Sequence, residues 1–265
     1  MTTNARPIAL VTGASSGIGA NLARELAKDG HDLILAARRI EPMQVLAKEF
    51  SKHGANSTIM ATDLSKTGAA AALVRDIETR GLSVDVLINA AGLGANGRFD
   101  TSDPQRVNEM LQVNIVALTE LTRMLLPPMV AKGQGKVMLV ASTAAFQPGP
   151  EMAVYCASKA YVLNFGEAIA YELRDSGVAV TTLCPGATET EFAAVAEAGK
   201  SALFKGGLVP VMSAPEVARL GYQGLKAGRG VVITGLVNRI MAASSRLAPA
   251  SMSLRIAGWM MATGK

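Results

Sequence analysis

Cysteine, histidine and aromatic side chains are all scarce in this 265-residue chain. Two cysteines, Cys156 and Cys184, cannot build a disulfide framework. Two histidines, neither near a cysteine in sequence, argue against a zinc site, and no other metal site is expected. Aromatics make up 4% of the residues against 49% hydrophobic, so the core has to come from Ala, Val, Ile, Leu and Met. Small and branched side chains of that kind suit tightly packed parallel strands and helices. A strong charge imbalance is missing too. Twenty-six basic residues against 21 acidic give +5 with no dense basic cluster, which speaks against nucleic acid as a partner. No uninterrupted apolar stretch reaches the roughly 18–20 residues of a membrane span. The apolar run in MTTNARPIALVTG is too short for a signal peptide. The chain reads as soluble and cytoplasmic.

What is present is a rhythm. Seven short apolar runs read as strands: Pro7–Thr12, Asp32–Ala37, Ser57–Ala61, Val84–Asn89, Lys136–Ala141, Val178–Cys184 and Val231–Thr234. They lack polar alternation, so both faces are expected to be buried. Helical patterns fall between them at Ile18–Asp29, Glu41–His53, Thr67–Arg80, Pro104–Ala131, Met152–Asp175 and Pro215–Lys226. Alternation of this kind implies right-handed crossovers and an α/β doubly wound parallel sheet. Nothing resembles an interdomain linker, so residues 1–265 are expected to form one domain. Two regions break the rhythm, Ala187–Met212 and the tail from Leu236 to the end.

The first strand runs into TGASSGIG, Thr12–Gly19. Gly13 permits a sharp turn, Gly17 lets backbone approach a pyrophosphate, and Gly19 lets the opening helix pack on the sheet. Ser15 and Ser16 add hydroxyl donors, and the helix N-terminus, from Ile18, offers free N–H groups. The turn follows a strand and opens a helix, which is the context that makes a glycine pattern specific for a dinucleotide. An NAD enzyme carries an acid at the end of the second strand. Here that position reads Ala37, Arg38, Arg39. A guanidinium can grip a 2′-phosphate bidentately, so NADP(H) is expected over NAD(H). Asp63 and Leu64, just past the third strand, are placed to meet the adenine, although an Asp there also suits a turn or helix cap. Asn89, Ala90, Ala91 and Gly92 follow the fourth strand and let a cofactor lie against the strand ends.

Tyr155 and Lys159 lie four apart in YCASKAY, on one face of a predicted helix. A nearby ammonium favours a phenolate, so Lys159 is expected to bring the Tyr155 pKa down toward the range of acid–base work. Ser142, in VAST past the fifth strand, can hold a substrate oxygen. Asn114 lies inside an apolar helical run, where a buried amide needs built-in partners.

Together TGASSGIG, NAAG, the Asn of QVNIVA, the Ser of VAST, YCASK and CPGATET resemble the short-chain dehydrogenase/reductase family across roughly residues 7–235. The resemblance implies a Rossmann-like sheet of seven strands in the order 3-2-1-4-5-6-7. It implies a tetrad in which Tyr155 is the general acid/base. Lys159 lowers its pKa and binds the nicotinamide ribose, Ser142 orients the carbonyl, and Asn114 supports a water that relays protons to Lys159. It places Pro185, Gly186, Thr188 and Thr190 near the nicotinamide and phosphates. The family's common NNAG reads NAAG here, with Ala90 in place of the second Asn.

The same resemblance makes residues 187–212 a substrate lid. Phe192, Val195, Leu203, Phe204 and Leu208 there favour an apolar ketone or 3-oxoacyl substrate. The tail, 236–265, mixes Met241, Leu247, Met252, Leu254, Ile256, Trp259, Met260 and Met261 with Arg239, Arg246 and Arg255. It can lie on a membrane surface, but covering the active site or a partner subunit is the preferred reading. The expected partners are a small-molecule carbonyl or alcohol and further copies of the chain, as a homodimer or homotetramer. The alternative function is a nucleotide-binding regulator of the same fold without turnover.

Overall fold

The computed structural model describes residues 6–191 and 211–247, together with residue 254. Successive residues of a strand point to opposite faces, and here both faces are apolar. In β1 (Ile8–Thr12), Leu10 enters one hydrophobic layer while Ala9 and Val11 enter the other. β2 (Asp32–Ala37), β3 (Ser57–Ala61), β4 (Val86–Asn89), β5 (Gly135–Val140) and β6 (Val178–Cys184) follow. β7 (Thr188–Glu189) and β8 (Met212–Ser213) are a separate two-residue parallel pair, and β9 (Val231–Ile233) returns to the main sheet. That sheet is parallel throughout, in the order β3-β2-β1-β4-β5-β6-β9. With β9 as its seventh strand, this is the Rossmann-like order expected.

Helices close both faces. Leu22 and Leu26 of α1 (Gly17–Lys28), Met43 and Leu46 of α2 (Ile40–Ser51), and Val217 and Leu225 of a later helix share one layer. Leu73 and Ile77 of α3 (Ala69–Thr79) belong to the other. The predicted helix Pro104–Ala131 is interrupted. It consists of α4 (Pro104–Leu111), a π-helical turn at Gln112–Ala117, and α5 (Leu118–Lys132). Asp103 caps α4 by accepting from the Gln105 N–H. The run Pro104–Lys132 is long and apolar enough to cross a membrane by length and hydropathy. Glu109, Glu120 and Arg123 interrupt it, and Leu118, Leu121, Leu125 and Met129 are buried in the core. α6 (Ala153–Glu172) packs beside β6, and α7 (Ala214–Lys226) is the later helix that packs on α1.

α8 (Leu236–Leu247) follows β9 at once. It is the first part of the tail, which the sequence reading left without a helix. The turns after β1, β4, β5 and β6 all leave the sheet at its carboxyl edge. Strand order reverses between β1 and β4, which is where ligands bind in such sheets. Of the predicted lid, residues 192–210 lie outside the described residues, as do residues 248–253 and 255–265 of the tail.

Candidate active site

A cavity of about 560 Å³ opens at the carboxyl edge of the sheet. Every residue named from the sequence for catalysis or cofactor binding lines it except Asn89 and Asn114.

Its nucleotide end is built by close approach. Gly13 has φ +65°, and a Cβ there would fall 2.8 Å from the Ala91 nitrogen. A Cβ on Gly19 would collide with the Gly13 carbonyl oxygen. The loop after β4 is tied to the end of β1, because Thr12 Oγ1 accepts from the N–H groups of Ala90 (3.1 Å) and Ala91 (3.2 Å). Ser16 is the N-cap of α1 but its side chain makes no cap bond, so the first N–H groups of α1 are left to a ligand. A glycine cradle and uncapped helix N-terminus on a cavity wall fit a dinucleotide's phosphates. Arg38 and Arg39 line the same end.

Asp63 lines the cavity and also serves its turn, accepting from Ser65 N (3.1 Å) and Ser65 Oγ (2.7 Å). Burial pushes its carboxyl up, but the bonds from Ser65, aided by Arg38, outweigh this and hold it below its usual value. Asn89 does not meet the cavity. It is buried, and Nδ2 donates to Thr122 Oγ1 at 3.0 Å, fastening β4 to α5. In this structure the Asn89 side chain is therefore engaged by the fold, at the head of the loop that lines the cavity.

At the other end Ser142, Tyr155 and Lys159 meet. Ser142 leaves β5, starts the turn Thr143–Phe146, and accepts from the Ala144 N–H at 3.1 Å. It also hydrogen-bonds Tyr155. Lys159 Nζ lies 5.8 Å from the centre of the Tyr155 ring and donates to the Val140 carbonyl at 2.8 Å. The phenol and the ammonium are both buried. Burial pushes Tyr155 up to about 12, with the Ser142 bond opposing it, and pulls Lys159 down to about 8. The net shift of Tyr155 is thus upward, set by burial, with Lys159 not among its causes. Desolvation dominates the phenol, and the ammonium is engaged by a carbonyl.

Asn114 sits in the π turn, fully buried. Its Oδ1 accepts from Leu93 N (2.8 Å), and its Nδ2 donates to Leu93 O (2.9 Å) and Ser158 Oγ (2.9 Å). Instead of facing the cavity, the amide pins the loop after β4 to α6. A Cβ on Gly92 would lie 3.5 Å from Lys159 Nζ and 3.6 Å from Asn114 Oδ1, so Gly92 sits between the two. Thr188 Oγ1 donates to the Gly186 carbonyl at 2.9 Å, and the methyl of Thr190 packs toward Gly17.

Several wall residues were not named from the sequence: Phe146, Gln147 and Met152 from the approach to α6, and Asn238, Ala242 and Ser245 from α8, which join Met241 of the tail. The α8 residues lie at helical spacing along one face, a signal legible only once the tail is known to be a helix. Ser158, at i+3 from Tyr155 and bonded to Asn114, was not singled out from the sequence either.

The profile of the short chain dehydrogenase family matches residues 7–201. A short chain dehydrogenase from Pseudocercospora fijiensis is 34% identical over 189 residues, covering 70% of this chain and 61% of that protein. A ketoacyl reductase from Nostoc sp. is 33% identical over 186 residues, covering 70% and 65%. The chain thus spans less than two thirds of the length of these two relatives. A solved short-chain dehydrogenase from Sphingobium yanoikuyae in complex with NADPH superposes with TM-score 0.80 at 31% identity, covering 94% of this chain and 95% of that one. The fold and these matches together make the chain a member of the short-chain dehydrogenase family.

Proposed function

We propose that this protein is an NADPH-dependent oxidoreductase that reduces a carbonyl to an alcohol, or runs the reverse. The observation that carries this reading is one cavity with a phosphate cradle and two arginines at one end and Ser142, Tyr155 and Lys159 at the other. When bound, NADPH supplies a hydride. The chain's own residues do the rest. The turn from Gly13 to Gly19 and the N–H groups of α1 hold the pyrophosphate, Arg38 and Arg39 take the 2′-phosphate, and Lys159 binds the nicotinamide ribose. Pro185, Gly186, Thr188 and Thr190 border the reacting end. Ser142 holds the carbonyl oxygen. Tyr155, raised to about 12, is firmly protonated at neutral pH and is the acid that protonates the nascent alkoxide. Asn114 is a positioning residue that holds Leu93 and Ser158 around this centre.

The substrate is an apolar ketone or 3-oxoacyl compound. Phe146, Met152, Met241 and Ala242 on the cavity wall support this, as does the likeness to a ketoacyl reductase. The chain acts as one domain and as a dimer or tetramer. The placement of α8 favours a tail that covers the active site over one that lies on a membrane.

The test is Tyr155→Phe. It is expected to lower the rate of NADPH oxidation with an active ketone by about 100-fold or more while NADPH still binds. Turnover equal to wild type would remove Tyr155 from the chemistry. If no carbonyl supports turnover in either protein while NADPH binds both, the regulator reading replaces this one.

A further inference from the structure

Arg39 and Glu191 stand 152 positions apart in the chain and are joined by an ion pair. Arg39 Nη2 donates to Glu191 Oε2 at 2.6 Å. The same guanidinium nitrogen lies 3.5 Å from Ser15 Oγ. The Ser16 hydroxyl hydrogen-bonds the Glu191 carboxylate. One residue earlier, the Thr190 methyl lies 3.1 Å from where a Cβ of Gly17 would be. Thr190 and Glu191 therefore lie across the phosphate turn, and both Arg39 and Glu191 line the cavity. The carboxylate is held by one guanidinium and one serine, the donor set that suits a bound anion.

Arg38 lies near enough to Asp63 for its charge to hold that carboxyl down, and Asp63 is bonded by Ser65. Of the two arginines proposed to take the ribose phosphate, Arg39 is the one that an acidic side chain engages directly, and Glu191 is its rival anion. Carboxylate and phosphate accept the same fork of N–H donors, so they compete for it. The two side chains are 50% and 59% exposed, which makes the pair weak enough to be displaced.

We propose that Glu191 is a specificity-determining residue for the cofactor, competing with the 2′-phosphate for Arg39 and so narrowing the preference for NADPH over NADH. The proposal rests on Arg39 as the 2′-phosphate ligand. A phosphorylated ribose has to displace the carboxylate, whereas an unphosphorylated one leaves the ion pair in place. Glu191 therefore weakens one cofactor and spares the other.

The experiment is isothermal titration of NADPH and of NADH into the wild type, Glu191→Gln, Arg39→Met and the double variant, with a melting curve of each to confirm folding. Glu191→Gln is expected to tighten NADPH about two- to fivefold and to leave NADH unchanged. In the Arg39→Met background the gain is expected to vanish. Equal tightening of both cofactors would show Glu191 acting as a general negative charge near the pyrophosphate, and would overturn the proposal. No change, or weaker NADPH binding, would overturn it as well. The two readings separate through Arg39→Met alone. If that variant loses the NADPH preference while Glu191→Gln leaves the ratio fixed, only the role of Glu191 fails. If Arg39→Met keeps the ratio, the assignment of Arg39 fails and both fall.

Discussion

Gly186 lies hard against the side-chain amide of Asn238. A Cβ on Gly186 would collide with Nδ2 and come within 2.6 Å of Cγ. Asn238 is buried and donates from Nδ2 to the Thr234 carbonyl at 2.7 Å, so it cannot swing aside freely. Gly186→Ala is expected to push α8 off the cavity, costing about 1–3 kcal/mol in urea denaturation and raising the substrate KM. Gly186→Ala with Asn238→Ala is expected to recover most of the stability. A double variant as unstable as the single one would show that the contact is not the cause.

Lys159 carries a pKa pulled down to about 8 by burial, from an ordinary 10.5. Between those values the unfolded chain holds a proton that the folded chain lacks, so this group makes stability rise as pH rises from about 8 to 10.5. Tyr155, raised to about 12, acts in the opposite sense above about pH 10, where the folded chain keeps a proton that the unfolded chain loses. The stability of Lys159→Met relative to wild type is therefore expected to be highest near neutral pH. It should shrink by up to roughly 3 kcal/mol toward pH 10. Urea denaturation of both proteins across that range is the measurement, and a pH-independent difference would contradict it.

Asn114 makes three buried hydrogen bonds, two of them to the backbone of Leu93. Asn114→Ala leaves the Leu93 N–H and carbonyl unpaired, and is expected to destabilise the fold by about 2–4 kcal/mol. Ser158→Ala removes one partner and is expected to cost about 1 kcal/mol. Equilibrium denaturation checks both, and comparable losses in the two variants would mean that the Leu93 bonds contribute little.

Met241 is the largest apolar side chain that α8 presents to the cavity. Met241→Phe is expected to raise KM for bulky ketones several-fold relative to small ones while leaving the NADPH Kd unchanged. Steady-state kinetics over a ketone series, with NADPH titration alongside, reads this out. A parallel rise for every ketone would place Met241 away from the substrate.

The strands were legible because burial on both faces leaves an unbroken apolar run, even for β9 with its three residues Val231–Ile233. The nucleotide turn was legible because each glycine answers to a steric demand that the structure shows at Gly13 and Gly19. α8 was not legible because its polarity is inverted. Leu236 and Ile240 are 70% and 60% exposed, while Asn238 is 5% exposed. Hydrophobicity alone assigns those residues to the wrong sides. Asn89 and Asn114 were recognised as special, but spacing does not tell which way an amide points, and both turn inward to backbone and hydroxyl partners. The Tyr155–Lys159 pair was found by its spacing, whereas its acidity depends on dryness, which only packing reveals.

β7 and β8 pair through two residues each, Thr188 with Met212 and Glu189 with Ser213. The chain thus departs and re-enters at one clasp beside the reacting end of the cavity. Closing a loop whose ends are already held adjacent costs little more when the loop is lengthened, about 0.6 kcal/mol per doubling. A change in the length of chain joining the clasp's two sides is therefore expected to cost the fold little. Length variation on that side of the chain can be absorbed at a seam only four residues wide.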